Sequence, residues 1–293
     1  MTKKNHLERS HRAMPSLYTH YLFGQDALVL MDKEVRAIVE AHPALYNLGL
    51  QGPDIFFYGS VFGPKSIAAF GHVLHKKSLA VVLDEMTGHL GVCPKQIWGG
   101  VPYPETAYLI GFIGHFVLDT ICHSYIFRVQ EDAKSHLGLE TDWDQYLLAE
   151  KTKTPWKTSL ASVVSNSRED RKIIEAVYAA YEDSISSKEV KNSAKAIYRI
   201  RKLMRFSNQN KYKFFAWAMD KLHMNQDLLA MFILPPQEGE SVHLNWPGRP
   251  DDAIETLENL YQEALKLYPN LIRNVRDHLE QGLPYENFLY RNF

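Results

Sequence analysis

The stretch that decides the fold is Gly114-His115-Phe116-Val117-Leu118-Asp119-Thr120-Ile121-Cys122-His123. His115, Asp119 and His123 recur at steps of four residues, just over one helical turn, so they stack on one face of a helix. His136 and Glu140 repeat the same step a little further on. The spacing therefore predicts five potential metal ligands within one short helical hairpin.

Apolar residues surround these polar side chains on nearly every side of the first helix, which predicts that the helix is buried. A lone histidine in such a helix is more often a hydrogen-bonded core residue than a ligand. Two stacked histidines with Asp119 between them reverse that preference, because a buried carboxylate needs a partner. A metal ion satisfies all three, and mixed imidazole and carboxylate ligands suit zinc, with iron or manganese as alternatives.

Composition is that of an ordinary globular protein. The chain has 293 residues, of which 45% are hydrophobic and 23% charged, and a net charge of -1 gives no electrostatic argument for stable nucleic-acid binding. With Cys93 and Cys122 as the only cysteines, we expect no disulfide framework. The polar N-terminal residues lack the apolar core of a secretory signal, so we expect a cytoplasmic protein.

We expect a polar tail over residues 1–13 and a single all-α domain over 14–293, with the metal ligands in 14–150 and a helical remainder in 151–293. No run reaches the length of a membrane span, since the apolar stretch 107–118 is short and contains His115. The Gly- and Pro-rich segment 91–104 predicts a loop. Helical periodicity covers 26–41, 65–84, 157–190, 191–208, 211–233 and 251–267.

Further ligand candidates lie before the central helix. His20 lies early in an apolar helix that we expect to begin near residue 15. Asp54 follows a Gly-Pro pair and enters an aromatic run, so it is either a helix cap, which the local sequence favours, or an inward-facing ligand. His72 and His75 lie three residues apart on the helix predicted over 65–84.

Motifs of other hydrolytic chemistries are absent from the sequence. It has no GxSxG nucleophile turn, no Gly-rich phosphate loop, no CxxC pair and no HExxH. Metal chemistry is therefore the one strong prediction.

The ordered candidates resemble the ligand set of the zinc-dependent phospholipase C family, above all its bacterial members without signal peptides. The resemblance is strong over residues 14–150 and weaker at Asn245-Trp246, and it extends to the related fungal single-strand nucleases. It is carried by His20, Gly52-Pro53-Asp54, a histidine in 72–75, His115-x3-Asp119-x3-His123 and His136-x3-Glu140.

The resemblance implies an all-α globule with a zinc cluster in a cleft. It assigns one zinc to Asp54, His75, His115 and Asp119, a second to Asp119 and His20, and a third to His123, His136 and Glu140. It favours His75 over His72, because the Leu-His-Lys-Lys setting is similar to that of the family. In secreted members an N-terminal Trp completes the site of the first histidine. Here thirteen residues precede Met14, so we expect two or three zinc ions.

The implied function is hydrolysis of phosphodiesters, such as a phospholipid at its headgroup, with Asp54 as the catalytic base. Two alternatives stay open: a nuclease-like or small-molecule phosphoesterase using the same cluster, and a non-catalytic helical protein that zinc only stabilises. Open coordination positions distinguish catalytic from structural zinc. We expect the aromatic residues after Asp54 and Trp246 to pack in the core rather than line the cleft.

Overall fold

The computed structural model describes residues 17–61, 63–90, 103–159, 161, 163–203, 208–223 and 226–292. Over these residues the protein is all-α, as predicted, with twelve α-helices and no strand. The helices are α1 (Leu17–Leu28), α2 (Lys33–Ala41), α3 (Pro43–Gly49), α4 (Ile55–Val61), α5 (Lys65–His75), α6 (Leu79–Gly88), α7 (Pro104–Val129), α8 (Ala133–Ala149), α9 (Arg168–Val177), α10 (Ser187–Leu203), α11 (Gln209–Lys221) and α12 (Ala253–Gln281).

Helix α7 lies at the centre of the fold. It is apolar on all sides, and its residues from Thr106 to Asp119 are all buried. It contacts helices α1, α2, α3, α6, α8, α9 and α12. Burial on every side confirms the prediction and means that any polar group on α7 must find its partner inside the protein.

Helix α3 crosses α7 at very close range because both helices carry glycine at the crossing. A Cβ atom on Gly49 would lie 2.1 Å from the Tyr108 carbonyl oxygen, and one on Gly111 would lie 2.2 Å from the Tyr46 carbonyl oxygen. Only glycine fits at either position. This contact holds the end of α3, and the turn that follows it, firmly against the face of α7.

The length of α7 corrects the prediction that no run of the sequence reaches the length of a membrane span. It has 26 residues and is the one helix in the described part of the chain that is long and apolar enough to cross a membrane. However, 89% of its most apolar window is buried inside the protein. The core helix of a globular domain meets the same criteria, and the burial of α7 fits that role.

Two predicted helices are each divided into two. The helix predicted over 26–41 breaks between α1 and α2, where Val29 and Leu30 are exposed rather than buried. The helix predicted over 65–84 breaks at Lys76–Ser78, between α5 and α6. Apolar spacing continues across both breaks, which is why periodicity alone does not reveal them.

The C-terminal predictions also need correction. In the described part of 157–190 the α-helical residues belong to α9 and to the start of α10, and the α-helix in 211–233 ends at Lys221. By contrast, α12 runs well past residue 267, through Pro269, to a left-handed Gly282 with φ 74°. Buried residues on both sides of Pro269, Leu265 and Leu271 among them, show that packing outweighs the missing N–H. The predicted tail 1–13 and most of the predicted loop 91–104 lie outside the described residues.

Candidate metal centre

Helix α7 supplies three of the predicted ligands on one face, as the spacing requires. His115 Nε2 lies 3.3 Å from Asp119 Oδ2, and His123 Nδ1 lies 3.6 Å from the same oxygen. His20, from α1, places its Nε2 3.1 Å from Asp119 Oδ1. Asp119 therefore lies between three imidazoles and is itself buried.

Asp54 reaches the cluster from the 3₁₀ turn Gly52–Asp54, which follows α3. Gly52 has φ 49°, and a Cβ there would lie 2.2 Å from His115 Cδ2, so only glycine lets the turn rest on the His115 ring. Asp54 Oδ2 lies 3.5 Å from His115 Nε2. Neither carboxylate oxygen of Asp54 makes a hydrogen bond, so the helix cap that the local sequence favoured is wrong.

His75, the last residue of α5, faces Asp54. Its Nε2 lies 3.2 Å from Asp54 Oδ1, and its Nδ1–H donates to the Gly71 carbonyl oxygen at 2.8 Å. That hydrogen bond fixes the tautomer in which Nε2 offers a lone pair to the cluster. The His72 ring lies against the Phe57 ring, with centroids 4.7 Å apart.

The remaining ligand candidates form a second group at the junction of α7 and α8. His123 Nε2 lies 3.3 Å, and His136 Nε2 3.2 Å, from Glu140 Oε1. His136 Nδ1 is hydrogen-bonded to the side chain of Gln130, the residue that follows α7. Gln130 therefore orients His136 from behind, in the way that outer residues orient metal-binding histidines.

The structure thus gathers the eight predicted residues into two buried groups. One ligand atom each from His20, Asp54, His115 and Asp119 lie within 4.8 Å of one another, and the same holds for His123, His136 and Glu140. His75 adjoins the first group through Asp54. Asp119 contacts both groups, because it is close to His115 and to His123.

Several buried oxygens in the cluster have no hydrogen-bond donor. Both oxygens of Asp54, Asp119 Oδ2 and Glu140 Oε2 make no hydrogen bond, nor does His20 Nδ1. Buried polar atoms are satisfied in the great majority of cases, so a set of unsatisfied carboxylate oxygens facing imidazole nitrogens fits a metal ion. The donor set of imidazoles and carboxylates suits zinc.

The charges of the cluster are strongly perturbed. Burial raises the pKa of Asp54 to about 6, against the pull of His75. Burial would also raise the pKa of Asp119, but His115, His123 and His20 outweigh it and hold this pKa well below its usual range. In the same way His136 and His123 lower the pKa of Glu140 to about 2. Asp119 and Glu140 are therefore held in the ionised form by the neighbouring imidazoles, whereas burial favours the neutral form of Asp54.

The histidines respond to the same field. Burial lowers the pKa of His123, but Asp119 and Glu140 outweigh it and raise this pKa to about 9. At His115 burial, together with the charges of the neighbouring histidines, outweighs Asp119, and the pKa falls well below its usual value. Protonated imidazoles thus balance the negative charge of the carboxylates. Divalent cations would balance that charge instead, because a histidine must lose its proton to bind a metal.

Two carboxylates that were not predicted from the sequence fix the backbone segments around the site. Asp144 accepts hydrogen bonds from the backbone N–H groups of Leu17, Tyr18 and Thr19, at 3.0, 3.2 and 2.7 Å, and so fixes the start of the helix that carries His20. The sequence feature that could have revealed these carboxylates is the group of three acidic residues within five positions of α8, with no Lys or Arg in the five residues on either side.

Asp142 holds the segment that contains Asn245 and Trp246, where the resemblance to the family is weaker. It accepts hydrogen bonds from the backbone N–H groups of Asn245 and Trp246, at 2.6 and 3.2 Å, and from Arg249 Nη1 at 3.1 Å. Trp246 is buried against Gly138 of α8. Its role is packing, as expected, and not cleft lining.

An all-α fold with two linked groups of buried histidines and carboxylates is typical of a metal-dependent hydrolase. The model of the family "Zinc dependent phospholipase C" matches residues 19–208, which cover both groups and well over half of the chain. The protein belongs to this zinc-dependent phospholipase C family. No curated protein and no solved structure matches the chain. Family membership and the two ligand groups support a zinc hydrolase.

Proposed function

We propose that the protein is a zinc-dependent phosphodiesterase of phospholipase C type. The observation that carries the proposal is the position of Asp119, whose Oδ2 lies 3.3 Å from His115 Nε2 and whose Oδ1 lies 3.1 Å from His20 Nε2. A carboxylate shared in this way suits a bridge between closely spaced metal ions. Such clusters are typical of enzymes that displace an ester oxygen from phosphorus.

The first group and His75 would hold zinc together, and the second group would hold zinc separately. Zinc, when bound, supplies Lewis-acid chemistry: it neutralises charge on phosphate oxygens and acidifies water. The residues that would bind it are His20, Asp54, His75, His115, Asp119, His123, His136 and Glu140.

Asp54 is the proposed catalytic base. Its carboxylate is buried next to His75 and His115, and among the described residues no hydrogen bond occupies either oxygen, so it can accept a proton from a water molecule within hydrogen-bond reach. In the reaction an Asp54 oxygen takes a proton from the attacking water. The water oxygen bonds to phosphorus, the ester P–O bond breaks, and the departing oxygen gains a proton.

The cavity beside the cluster offers room for a substrate. It has a volume of about 500 Å³ and is lined by His123 of the second ligand group and by the exposed Phe127. Small-molecule sites typically have volumes of about 300–1,000 Å³. A phosphodiester in this cavity would meet the cluster at His123.

Hydrolysis of two chromogenic diesters tests the proposal. Zinc-loaded protein is expected to hydrolyse bis-p-nitrophenyl phosphate or p-nitrophenyl-phosphorylcholine, to stop when a chelator is added and to recover with zinc. Asp54→Asn should lower kcat strongly, whereas Asp183→Asn, which changes an exposed carboxylate, should match the wild type. Bound zinc without turnover of either diester would refute the proposal in favour of a structural role for the metal.

A further inference from the structure

The cavity beside the metal centre is unusual in the charge of its lining. Besides His123 it is lined by Lys76, which directly follows the predicted ligand His75, and by Arg291 near the C-terminal end of the described chain. No Asp or Glu lines it, and neither cation forms an ion pair with an acidic side chain in the part of the chain that the structure describes. The cavity therefore carries a positive rim.

Arg291 is held at the cavity by packing and by the backbone. Its guanidinium carbon lies 4.9 Å from the centre of the Phe288 ring, and Phe288 packs edge-on against Phe116 of α7 at 5.8 Å. The next residue, Asn292, forms a β-bridge with Ser78. The C-terminal segment is thus tied to the turn between α5 and α6, the same turn that carries Lys76.

Thr120 adds a neutral polar group to the same cavity. It directly follows Asp119 on α7 and lines the cavity, and its buried hydroxyl oxygen makes no hydrogen bond with the residues that the structure describes. The neighbouring Ser124 hydroxyl, by contrast, donates to the Ile121 carbonyl oxygen at 2.8 Å. Thr120 therefore keeps a hydrogen-bonding group for a ligand.

We propose, building on the phosphodiesterase function above, that this cavity selects a lipid whose headgroup carries a second phosphate besides the scissile one, as a phosphorylated inositol headgroup does. Lys76 and Arg291 would bind that second phosphate, because ammonium and guanidinium groups form strong charge-assisted hydrogen bonds to phosphate oxygens. The same two cations repel the quaternary ammonium of a choline headgroup. A cavity of about 500 Å³ with two cations also fits a headgroup better than a nucleic-acid strand, which requires a longer basic groove.

Short-chain substrates that stay in solution test the proposal. Zinc-loaded protein is expected to hydrolyse dihexanoyl phosphatidylinositol 4-phosphate with a kcat/KM at least about tenfold above that for dihexanoyl phosphatidylcholine, since each charged contact contributes about that factor. The double variant Lys76→Gln/Arg291→Gln should lose this advantage, because its kcat/KM for dihexanoyl phosphatidylinositol 4-phosphate should fall. Its kcat/KM for the choline lipid should not fall, because the two cations only repel the choline headgroup.

Matched controls separate the failures. Lys266→Gln/Arg168→Gln removes one lysine and one arginine that are exposed elsewhere and should keep the wild-type preference. Equal rates on the two lipids, a preference that survives Lys76→Gln/Arg291→Gln, or faster cleavage of a 5′-phosphorylated dinucleotide would overturn the proposal.

Calorimetry gives a readout that does not depend on turnover. Inositol 1,4-bisphosphate should bind the zinc-loaded wild type, and Lys76→Gln/Arg291→Gln should raise its Kd at least about tenfold. If no substrate is hydrolysed but this difference in Kd is found, the proposed reaction fails and the anion site stands. Unchanged binding in the double variant would refute the site itself.

Discussion

Helix α8 carries Glu140, Asp142 and Asp144 within five residues, and the three buried carboxylates lie in different surroundings. Asp142 and Asp144 each accept hydrogen bonds from several N–H groups and, respectively, from Arg249 and the Thr19 hydroxyl. Glu140 faces only the imidazoles of His123 and His136, and one of its oxygens makes no hydrogen bond. Position on one helix therefore does not decide what a carboxylate does.

The difference separates anchoring carboxylates from ligand carboxylates. An anchoring carboxylate is saturated with donors and ties distant segments together, as Asp144 does for the start of α1. A ligand carboxylate is buried, short of donors and surrounded by imidazole nitrogens, as Glu140, Asp54 and Asp119 are. Substitutions in the first class should change the free energy of unfolding, and substitutions in the second should change zinc content.

The largest effect is expected at Asp119. Asp119→Asn keeps the shape but removes the charge that faces both His115 and His20, so zinc bound to the first ligand group should be lost and turnover should fall by more than about 100-fold. Elemental analysis and diester hydrolysis measure the two effects. The exposed Asp220→Asn is the matched control, and full zinc content and rate in Asp119→Asn would contradict the bridging role.

Glu140→Gln should have a narrower effect. It removes the only carboxylate of the second ligand group, so about one equivalent of zinc should be lost while the group around Asp54 keeps its metal. Zinc content per chain, measured against Glu150→Gln at the exposed residue that directly follows the same helix, checks this. Loss of all zinc, or of none, would contradict the claim that the two groups bind zinc separately.

Asp144→Asn should destabilise the protein without removing the second group's zinc. The new NH₂ group cannot accept from the N–H groups of Leu17 and Tyr18, and each buried donor left without a partner costs about 1–3 kcal/mol. We expect the free energy of unfolding in urea to fall by about 2–4 kcal/mol. A variant as stable as the exposed Asp183→Asn would remove Asp144 from the anchoring class.

The smallest effect is expected at Asp132, a mostly exposed carboxylate that caps α8 by accepting from the Ser135 N–H at 2.8 Å. Asp132→Ala should cost about 1 kcal/mol in the free energy of unfolding. The Ser135 N–H lowers the pKa of Asp132 in the folded state, so this contribution is present at neutral pH and is lost as the pH falls through that lowered pKa. Urea unfolding at neutral and acidic pH should show the difference between variant and wild type shrinking; a constant difference would contradict the charged cap.

The sequence was sufficient for the ligand face of α7, because that pattern is local: residues four apart on a helix must share a face. The all-α fold and the family followed from the same ordered set of residues. Asp54 shows the limit of local sequence rules, because these rules favour a helix cap for the Asp of a Gly-Pro-Asp turn. Only the contact of Gly52 with the His115 ring turns its carboxylate inward.

Long-range contacts account for what was not predicted. Asp144 meets its partners 125 to 127 residues away, and Asp142 meets Asn245 from 103 residues away. Arg291 reaches the cavity only because the C-terminal segment returns to Ser78. Neither spacing nor composition encodes such pairings. The breaks at Val29 and Lys76 were missed for the complementary reason, since apolar periodicity continues through them.

The most direct test of the central claim, that the donor-poor carboxylates and histidines form a zinc site, is metal content. Elemental analysis of protein purified without added metal and without a His-tag should give about two or three equivalents of zinc per chain, which a chelator removes and added zinc restores. Protein that contains no metal and takes up none from added zinc would contradict the account, because the stacked histidines would then be core residues held by the carboxylates alone.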